Sequence, residues 1–178
     1  MIVACIRFYL LTSVNYHEHV TEWGVHWNFY LTIALIRILM VFLRSTEYAM
    51  FYGFSILVIN EFIQKEFNLK SYILHAPRTD LISANKEGLI SLPGYVAIQL
   101  IGIGLGRDIY QTLLFDEPSK LQKELKTKEG MEKRKYSEIK ALLKMVTYCI
   151  LFFIASELSY DAFDTPSRRL CNMSWIMY

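Results

Sequence analysis

Residues 27–43 read WNFYLTIALIRILMVFL, and residues 48–63 read YAMFYGFSILVINEFI after a break of only four residues. A helix needs about 20 apolar residues to cross the hydrocarbon of a bilayer, and fewer where interfacial aromatic side chains flank the run. Each run contains a single charged residue, Arg37 in the first and Glu61 in the second. Two such runs joined by a short polar turn predict a pair of membrane-spanning helices.

Further apolar runs lie on both sides of this pair. Residues 89–106 (LISLPGYVAIQLIGIGLG) and 142–158 (LLKMVTYCILFFIASEL) predict two more complete spans. Residues 1–14 and 170–178 are apolar but short, as expected for the cut ends of longer helices. We therefore expect an all-α, polytopic transmembrane helix bundle with about four complete spans and two truncated ones. The alternative is a soluble bundle of buried helices, since some runs are only about 16 residues long.

The charges lie between these runs rather than along them. Residues are 53% hydrophobic and 20% charged, and the net charge of +2 is too small and too scattered to indicate nucleic-acid binding. We treat residues 1–178 as one membrane-embedded region in which the lysine-rich segment 108–140 is a charged loop. Because lysine-rich loops remain in the cytosol, alternation of the spans places segments 15–26, 64–88 and 159–169 together on the opposite, lumenal face.

The first lumenal loop is rich in imidazoles and carboxylates. It reads NYHEHVTEWGVHWN over residues 15–28, and His19, Glu22 and His26 would share one face of a helix. Side chains of these types accept protons near neutral pH and so favour a proton-handling or substrate-binding role. Zinc binding is a second possibility, although the HExxH pattern is absent. A purely structural interfacial loop is the third.

The other two lumenal loops carry cations where the chain re-enters the membrane. In the second loop, Arg78 and Asp80 are close enough to pair, and Asn85, Lys86 and Glu87 add donors and acceptors. In the third loop, Arg168 and Arg169 precede an apolar segment. Arginine and lysine in such positions suit a phosphate or sugar-phosphate headgroup. Ordinary snorkelling at a helix end is the alternative for all of them.

Three segments of these loops carry a resemblance to a known family. They are EHVTEWGVHWNF (18–29), APRTDLISANKEG (76–88) and SRRLCNMSW (167–175). Their order, their separations and the flanking spans resemble the inositol acyltransferases of GPI-anchor biosynthesis. These are the glucosaminyl-phosphatidylinositol acyltransferases, which in fungi are called GPI-anchored wall transfer proteins. The resemblance covers most of the chain and is weakest in the lysine-rich loop.

The resemblance implies a multi-pass enzyme of the endoplasmic reticulum membrane. It implies transfer of a fatty acyl group from acyl-CoA to the inositol of glucosaminyl-phosphatidylinositol, with acyl-CoA as co-substrate and no tightly bound cofactor or metal. The expected partners are these two substrates and membrane lipids, and not nucleic acid. Members of the family are much longer, so we expect this chain to be a fragment of a larger polytopic protein whose catalytic base lies upstream.

Within the chain, the best catalytic candidates are His26, Glu22 and His19. The expected substrate-binding residues are Asn28, Arg78, Asp80, Asn85, Lys86, Arg168 and Arg169.

A non-catalytic membrane protein, either a transporter or a structural subunit, is the rival interpretation. Arg37, Asn60 and Glu61 lie within or near spans, where such residues can line a polar pathway. A transporter predicts internal repeats with paired broken helices, and the sequence shows no such self-similarity.

Overall fold

The computed structural model describes residues 6, 9–10, 24–43, 47–113, 128–162 and 165–177. Among these residues the secondary structure is helical, without β-strands, so the all-α prediction is confirmed. The helices are α1 (Phe29–Phe42), α2 (Ala49–Glu66), α3 (Leu69–His75), α4 (Leu81–Ala84), α5 (Lys86–Leu113), α6 (Lys128–Ala162) and α7 (Met173–Met177).

The described helices support two of the four predicted spans. By length and composition, α5 (28 residues) and the Met131–Ala162 part of α6 (32 residues) can cross a membrane. Helix α1 is apolar but only 14 residues long. Helix α2 has 18 residues, but its last two turns carry Glu61, Lys65 and Glu66. A count of four complete spans is therefore not confirmed.

Two helices extend into the segment predicted as a charged loop. Helix α5 continues to Leu113, and α6 begins at Lys128, so residues 128–140 of the predicted loop are helical. Lysine, glutamate and arginine are good helix formers, and Arg134 Nε donates to Glu138 Oε1 at 2.8 Å one turn away. Residues 114–127 of the loop lie outside the described residues.

Helix α5 is central, and α2 packs closely along it because glycine occupies both sides of the contact. A Cβ added to Gly53 of α2 would lie 2.7 Å from Ile101 Cγ1, and a Cβ added to Gly104 of α5 would lie 2.6 Å from Met50 Cβ. Small residues let two helix backbones approach in this way. Gly102 and Gly106 do not share this role, since no described atom lies within 4 Å of an added Cβ at either position.

Helix α6 lies antiparallel to α5, and polar side chains connect the C-terminal half of α5 to α6. Lys144 Nζ lies 2.9 Å from both carboxylate oxygens of Asp108, and Tyr148 Oη donates to Asp108 Oδ2 at 2.7 Å. Further along, Ser137 Oγ donates to the carbonyl of Thr112. Only 11% of the most apolar part of α6 is buried against the other described residues. Its apolar surface is thus available to lipid or to additional protein.

Candidate functional site

The end of the first motif (residues 18–29) contacts the second motif (residues 76–88); the third motif is residues 167–175. Val25 N donates to Ala84 O at 2.9 Å, and His26 N donates to Asn85 Oδ1 at 2.8 Å. Gly24 has φ +115, and an added Cβ there would lie 2.7 Å from Asn85 Cα. A glycine is needed at this position both for its backbone conformation and for its close approach to Asn85.

Trp27 packs at the same junction between the first and second motifs. An added Cβ on Gly88 would lie 2.4 Å from Trp27 Cγ, so the indole rests against the bare backbone of α5. Trp27 Nε1 donates to Thr32 Oγ1 at 2.8 Å in a buried hydrogen bond. Next to it, Asn28 caps α1 by accepting a hydrogen bond from Leu31 N at 2.9 Å. Asn28 is buried, so its visible role is to start α1 and thereby fix the loop before it.

A buried ion pair ties the second motif together. Arg78 binds both carboxylate oxygens of Glu87 through its two terminal nitrogens, and the guanidinium also donates to Ala84 O at 2.8 Å. Glu87 is only 1% exposed, whereas 26% of the Arg78 side chain is exposed. The sequence suggested Asp80 as a neighbour that could pair with Arg78. In the structure Arg78 pairs with the carboxylate of Glu87 instead. Ala84 O accepts hydrogen bonds from both Arg78 and Val25 N, and so links the ion pair to the first motif.

Asp80 and Asn85 flank the short helix α4. Asp80 accepts a hydrogen bond from Ser83 N at 2.8 Å, while Ser83 Oγ accepts one from Asp80 N at 3.0 Å, which makes a capping box. The hydrogen bond from Ser83 N lowers the pKa of the Asp80 carboxyl. At the other end of α4, Asn85 Nδ2 donates to Leu81 O at 2.9 Å. Both side chains hold the backbone of the second motif.

Lys86 is buried beneath this motif. Its side chain is directed at the end of α3, where Nζ donates to Ala76 O at 2.6 Å and to Tyr72 O at 3.2 Å. The ammonium also lies 5.4 Å from the centroid of the Tyr72 ring. Lys86 is 2% exposed, and carbonyls at the C-terminal end of a helix are favourable partners for a cation. Its predicted contact with a substrate headgroup stays a prediction.

The third motif docks on α2 and α5. Gln64 Nε2 donates to Leu170 O at 2.9 Å, and Met173 N donates to Glu61 Oε2 at 2.7 Å. Cys171 packs against α5, where an added Cβ on Gly94 would overlap the Cys171 carbonyl oxygen at 2.2 Å. Glu61 and Gln64 are buried. Glu61, which the sequence raised as part of a polar pathway, therefore positions the third motif.

Asn172 shapes the turn that carries the two arginines. Its Oδ1 accepts a hydrogen bond from Ser167 N at 2.9 Å, and its Nδ2 donates to Thr165 O at 3.0 Å. Asn172 is 1% exposed, whereas Arg168 is exposed and Arg169 is half-buried. The turn held by Asn172 thus carries one exposed arginine and, next to it in sequence, one that is half-buried.

The described parts of all three motifs therefore meet around the first third of α5. The contacts at Gly88, Glu87 and Gly94 bring them together. His26 is the one catalytic candidate among the described residues, and it is exposed. His19 and Glu22 lie outside those residues. Arg37 is exposed on α1, whereas Asn60 of α2 is buried and its Nδ2 has no hydrogen-bond partner among the described atoms.

Sequence reasoning missed the contacts through which buried side chains hold the three motifs in place. Glu87 is the partner of Arg78, Gln64 and Glu61 hold the third motif, and Asn172 fixes the arginine turn. Glu87 follows Asn85 and Lys86 directly, and a carboxylate at the start of an apolar span is a signal that an arginine nearby will pair with it. The other contacts are long-range, between residues about 110 positions apart, and leave no local pattern.

Comparison with known proteins identifies the family. The sequence model of the GWT1 family matches residues 1–178, which is the whole chain. The chain belongs to the GWT1 family. Phosphatidylinositol-glycan biosynthesis class W protein of Dictyostelium discoideum is 35% identical over 99% of this chain. GPI-anchored wall transfer protein 1 of Gibberella zeae and that of Yarrowia lipolytica are each 32% identical over 100% of it. The resemblance predicted from the three motifs is confirmed.

This GWT1-family chain spans about a third of the length of the curated relatives it matches. It covers 32% of the Dictyostelium discoideum protein, 35% of the Gibberella zeae protein and 37% of the Yarrowia lipolytica protein. The surface formed by the three motifs is therefore one part of what the relatives contain.

Proposed function

We propose that this chain contributes the substrate-binding surface of an acyltransferase in GPI-anchor biosynthesis. The reaction moves a fatty acyl group from acyl-CoA to an inositol hydroxyl of glucosaminyl-phosphatidylinositol. Membership of the GWT1 family supports the pathway, because relatives are named for GPI anchoring and for phosphatidylinositol-glycan biosynthesis. The enzyme belongs in the endoplasmic reticulum membrane as a multi-pass protein, with the three motifs on the lumenal face.

The convergence of the three motifs on α5 is the observation that carries the proposal. The motifs carry an exposed imidazole (His26) and two arginines on a turn (Arg168, Arg169), and separate hydrogen bonds hold the backbone beside each of them. The Arg78–Glu87 pair fixes the second motif against the first. Fixed side chains on rigid elements orient a substrate, and orientation alone supplies much of the rate enhancement of a two-substrate reaction.

Each side chain takes a role suited to its chemistry. Arg168 and Arg169 bind the phosphate that links inositol to the lipid, because a guanidinium matches phosphate oxygens in geometry and charge. Arg78 is partly exposed and is proposed to contact the same headgroup. Asn85 and Lys86 are buried and hold the loop in place. His26, His19 and Glu22 are the proposed proton-handling residues, in addition to the catalytic base expected upstream.

The chemical step is a direct acyl transfer. A base removes the proton of the inositol hydroxyl, and the oxygen attacks the thioester carbonyl of acyl-CoA. A tetrahedral oxyanion forms and is stabilised by hydrogen-bond donors. The new ester C–O bond is kept, the C–S bond breaks, and the CoA thiolate leaves and takes up a proton.

Complementation of cells that lack inositol acylation tests the proposal. The 178-residue chain and a version extended to its full transcript are compared, with acylated GPI precursor as the readout. The extended wild-type form is expected to restore the product, and the paired change Arg168→Ala with Arg169→Ala is expected to reduce it strongly. Arg134→Ala, an exposed arginine of α6 away from the motifs, is the matched control.

The outcome separates the enzyme from a transporter or structural subunit. Failure of the extended wild-type form to restore acylation, although it is present in the membrane, would reject the acyltransferase proposal. Full acylation by the double arginine variant would reject the assigned phosphate contacts.

A further inference from the structure

A polar cavity of about 450 Å³ lies near the C-terminal end of α5, away from the three motifs. About 28 Å of helix separates Gly88, at the junction of the first two motifs, from Arg107 in this cavity. The volume falls within the range of about 300–1,000 Å³ that small-molecule pockets usually have. The polar lining consists of Glu47 beside the start of α2, Arg107, Asp108 and Gln111 of α5, and Tyr148 of α6.

The cavity lies at the level where the apolar stretches of two helices end. Arg107 is the first charged residue after the uncharged stretch 89–106 of α5, and Lys144 is the last one before the uncharged stretch 145–156 of α6. The ion pair between Lys144 and Asp108 holds these two points together. Both helices are long and apolar enough to cross a membrane. A cavity at this level therefore faces the headgroup region of a bilayer, where the hydrocarbon ends.

Two side chains of opposite charge line this cavity without a partner. Arg107 is half-buried and Glu47 is exposed, and neither side chain forms an ion pair or a hydrogen bond with the part of the chain that the structure describes. Asp108 does not neutralise Arg107, because its carboxylate is already engaged. Lys144 Nζ lies 2.9 Å from both oxygens of Asp108, and Tyr148 Oη donates to one of them at 2.7 Å. The cavity thus offers one cation and one anion that the fold itself does not use.

A zwitterionic phospholipid headgroup is complementary to these two charges. A guanidinium matches the oxygens of a phosphate in geometry and charge, and a carboxylate accepts hydrogen bonds from a primary ammonium. Phosphoethanolamine carries both groups. Phosphocholine has no N–H to donate, and proteins recognise its cation with cages of aromatic rings, whereas Tyr148 is the only aromatic residue among the described residues that line the cavity. A purely anionic headgroup would be repelled by Glu47.

We propose that this cavity binds the headgroup of phosphatidylethanolamine, with the phosphate on Arg107 and the ammonium on Glu47. Gln111 lies one turn after Arg107 and lines the same cavity, so its amide is placed to donate to the phosphate as well. The two acyl chains of the lipid remain in the bilayer. The site involves neither the three motifs nor the acyl-transfer step, and it therefore stands or falls independently of the proposed acyltransferase function.

Native mass spectrometry of the purified protein, extended to its full transcript, measures this binding. The protein in detergent micelles is titrated separately with phosphatidylethanolamine, phosphatidylcholine and phosphatidylglycerol of identical acyl chains, and the lipid-bound fraction gives an apparent Kd for each lipid. Wild type is compared with Arg107→Gln and Glu47→Gln, which should both fold because neither side chain has a partner among the described residues. Arg134→Gln is the matched control, because Arg134 is an exposed arginine of α6 that does not line the cavity.

Wild type and Arg134→Gln are expected to bind phosphatidylethanolamine at least about tenfold more tightly than either other lipid, and each cavity variant is expected to lose most of this preference. Equal affinity of wild type for phosphatidylethanolamine and phosphatidylcholine would overturn the proposal. A preference retained in both cavity variants would also overturn it, because the lipid would then bind elsewhere. If Glu47→Gln bound phosphatidylglycerol more tightly and lost no affinity for phosphatidylethanolamine, the cavity would be a site for anions alone and the proposal would be wrong.

Discussion

Replacement of Arg78 by methionine should strongly destabilise the junction between the first two motifs. The change removes the only cation that the structure places against the buried carboxylate of Glu87 among the described residues. Breaking a buried ion pair by deleting one partner costs about 3–5 kcal/mol, because an uncompensated charge stays buried. Since 26% of the Arg78 side chain is exposed, solvent screens part of the effect and the lower end of that range applies.

A second loss adds to this cost. Arg78 also donates to Ala84 O, and an ordinary hydrogen bond contributes about 1 kcal/mol. The expected change in the free energy of unfolding for Arg78→Met is therefore about 4 kcal/mol. Denaturant titration of the purified protein in detergent micelles measures it. The double variant with Glu87→Gln should lose less than Arg78→Met alone, because a neutral amide costs less to bury than a stranded carboxylate.

Arg134→Met is the matched control for this measurement. It breaks the Arg134–Glu138 pair on α6, in which the side chains are 59% and 53% exposed. Exposed pairs at this helical spacing contribute about 0.3–0.5 kcal/mol. If Arg78→Met cost no more than Arg134→Met, the assignment of a structural ion pair at Glu87 would be refuted.

Three further predictions concern residues that hold the three motifs in place. Gly88→Ala should lower the free energy of unfolding by about 2–3 kcal/mol, because the new Cβ displaces the indole of Trp27. Gly106→Ala, in open space, should be neutral or stabilise by up to about 1 kcal/mol. Both changes are measured by the same denaturant titration. Asp80→Asn should remove one pH-dependent contribution. The folded-state pKa of Asp80 is lowered, so its contribution to stability is present above its ordinary value of 3.8 and is lost as the pH falls below it. An unchanged acid-unfolding profile would contradict this. Asn172→Ala should destabilise by about 2 kcal/mol, because it removes the hydrogen bonds of this side chain with Ser167, Thr165 and Trp175. It should also reduce acylation by loosening the arginine turn, and retained acylation would contradict the role of that turn.

The sequence predicted the helices well because apolar runs are a local signal. The runs at 27–43, 48–63, 89–106 and 142–158 each coincide with a helix of the structure. Their ends were less predictable. Helix α6 continues into the charged segment before residue 142, where side-chain pairs such as Arg134–Glu138 support a helix without any apolar pattern. The predicted truncated span at 170–178 begins instead with a turn, and its helix starts at Met173.

The sequence singled out motif residues such as Arg78 and Asn85, and their role at a substrate site stays a prediction. It did not indicate their hydrogen-bond partners, because those contacts are set by folding. His26 N reaches Asn85 across 59 positions, and Gln64 reaches Leu170 across 106. Lys86 is a further example. It is buried against the carbonyls at the end of α3 because the chain turns back after that helix, and the residues next to Lys86 in sequence do not predict this contact.

Reconstitution of the protein extended to its full transcript into liposomes tests the central claim most directly. The liposomes contain glucosaminyl-phosphatidylinositol, an acyl-CoA with an isotope-labelled acyl chain is added, and the labelled inositol ester is quantified by mass spectrometry. We expect label on the inositol with the wild-type protein and a large reduction in the folded Arg168→Ala, Arg169→Ala variant. Folded wild-type protein that transfers no label to inositol would contradict the proposed acyltransferase function.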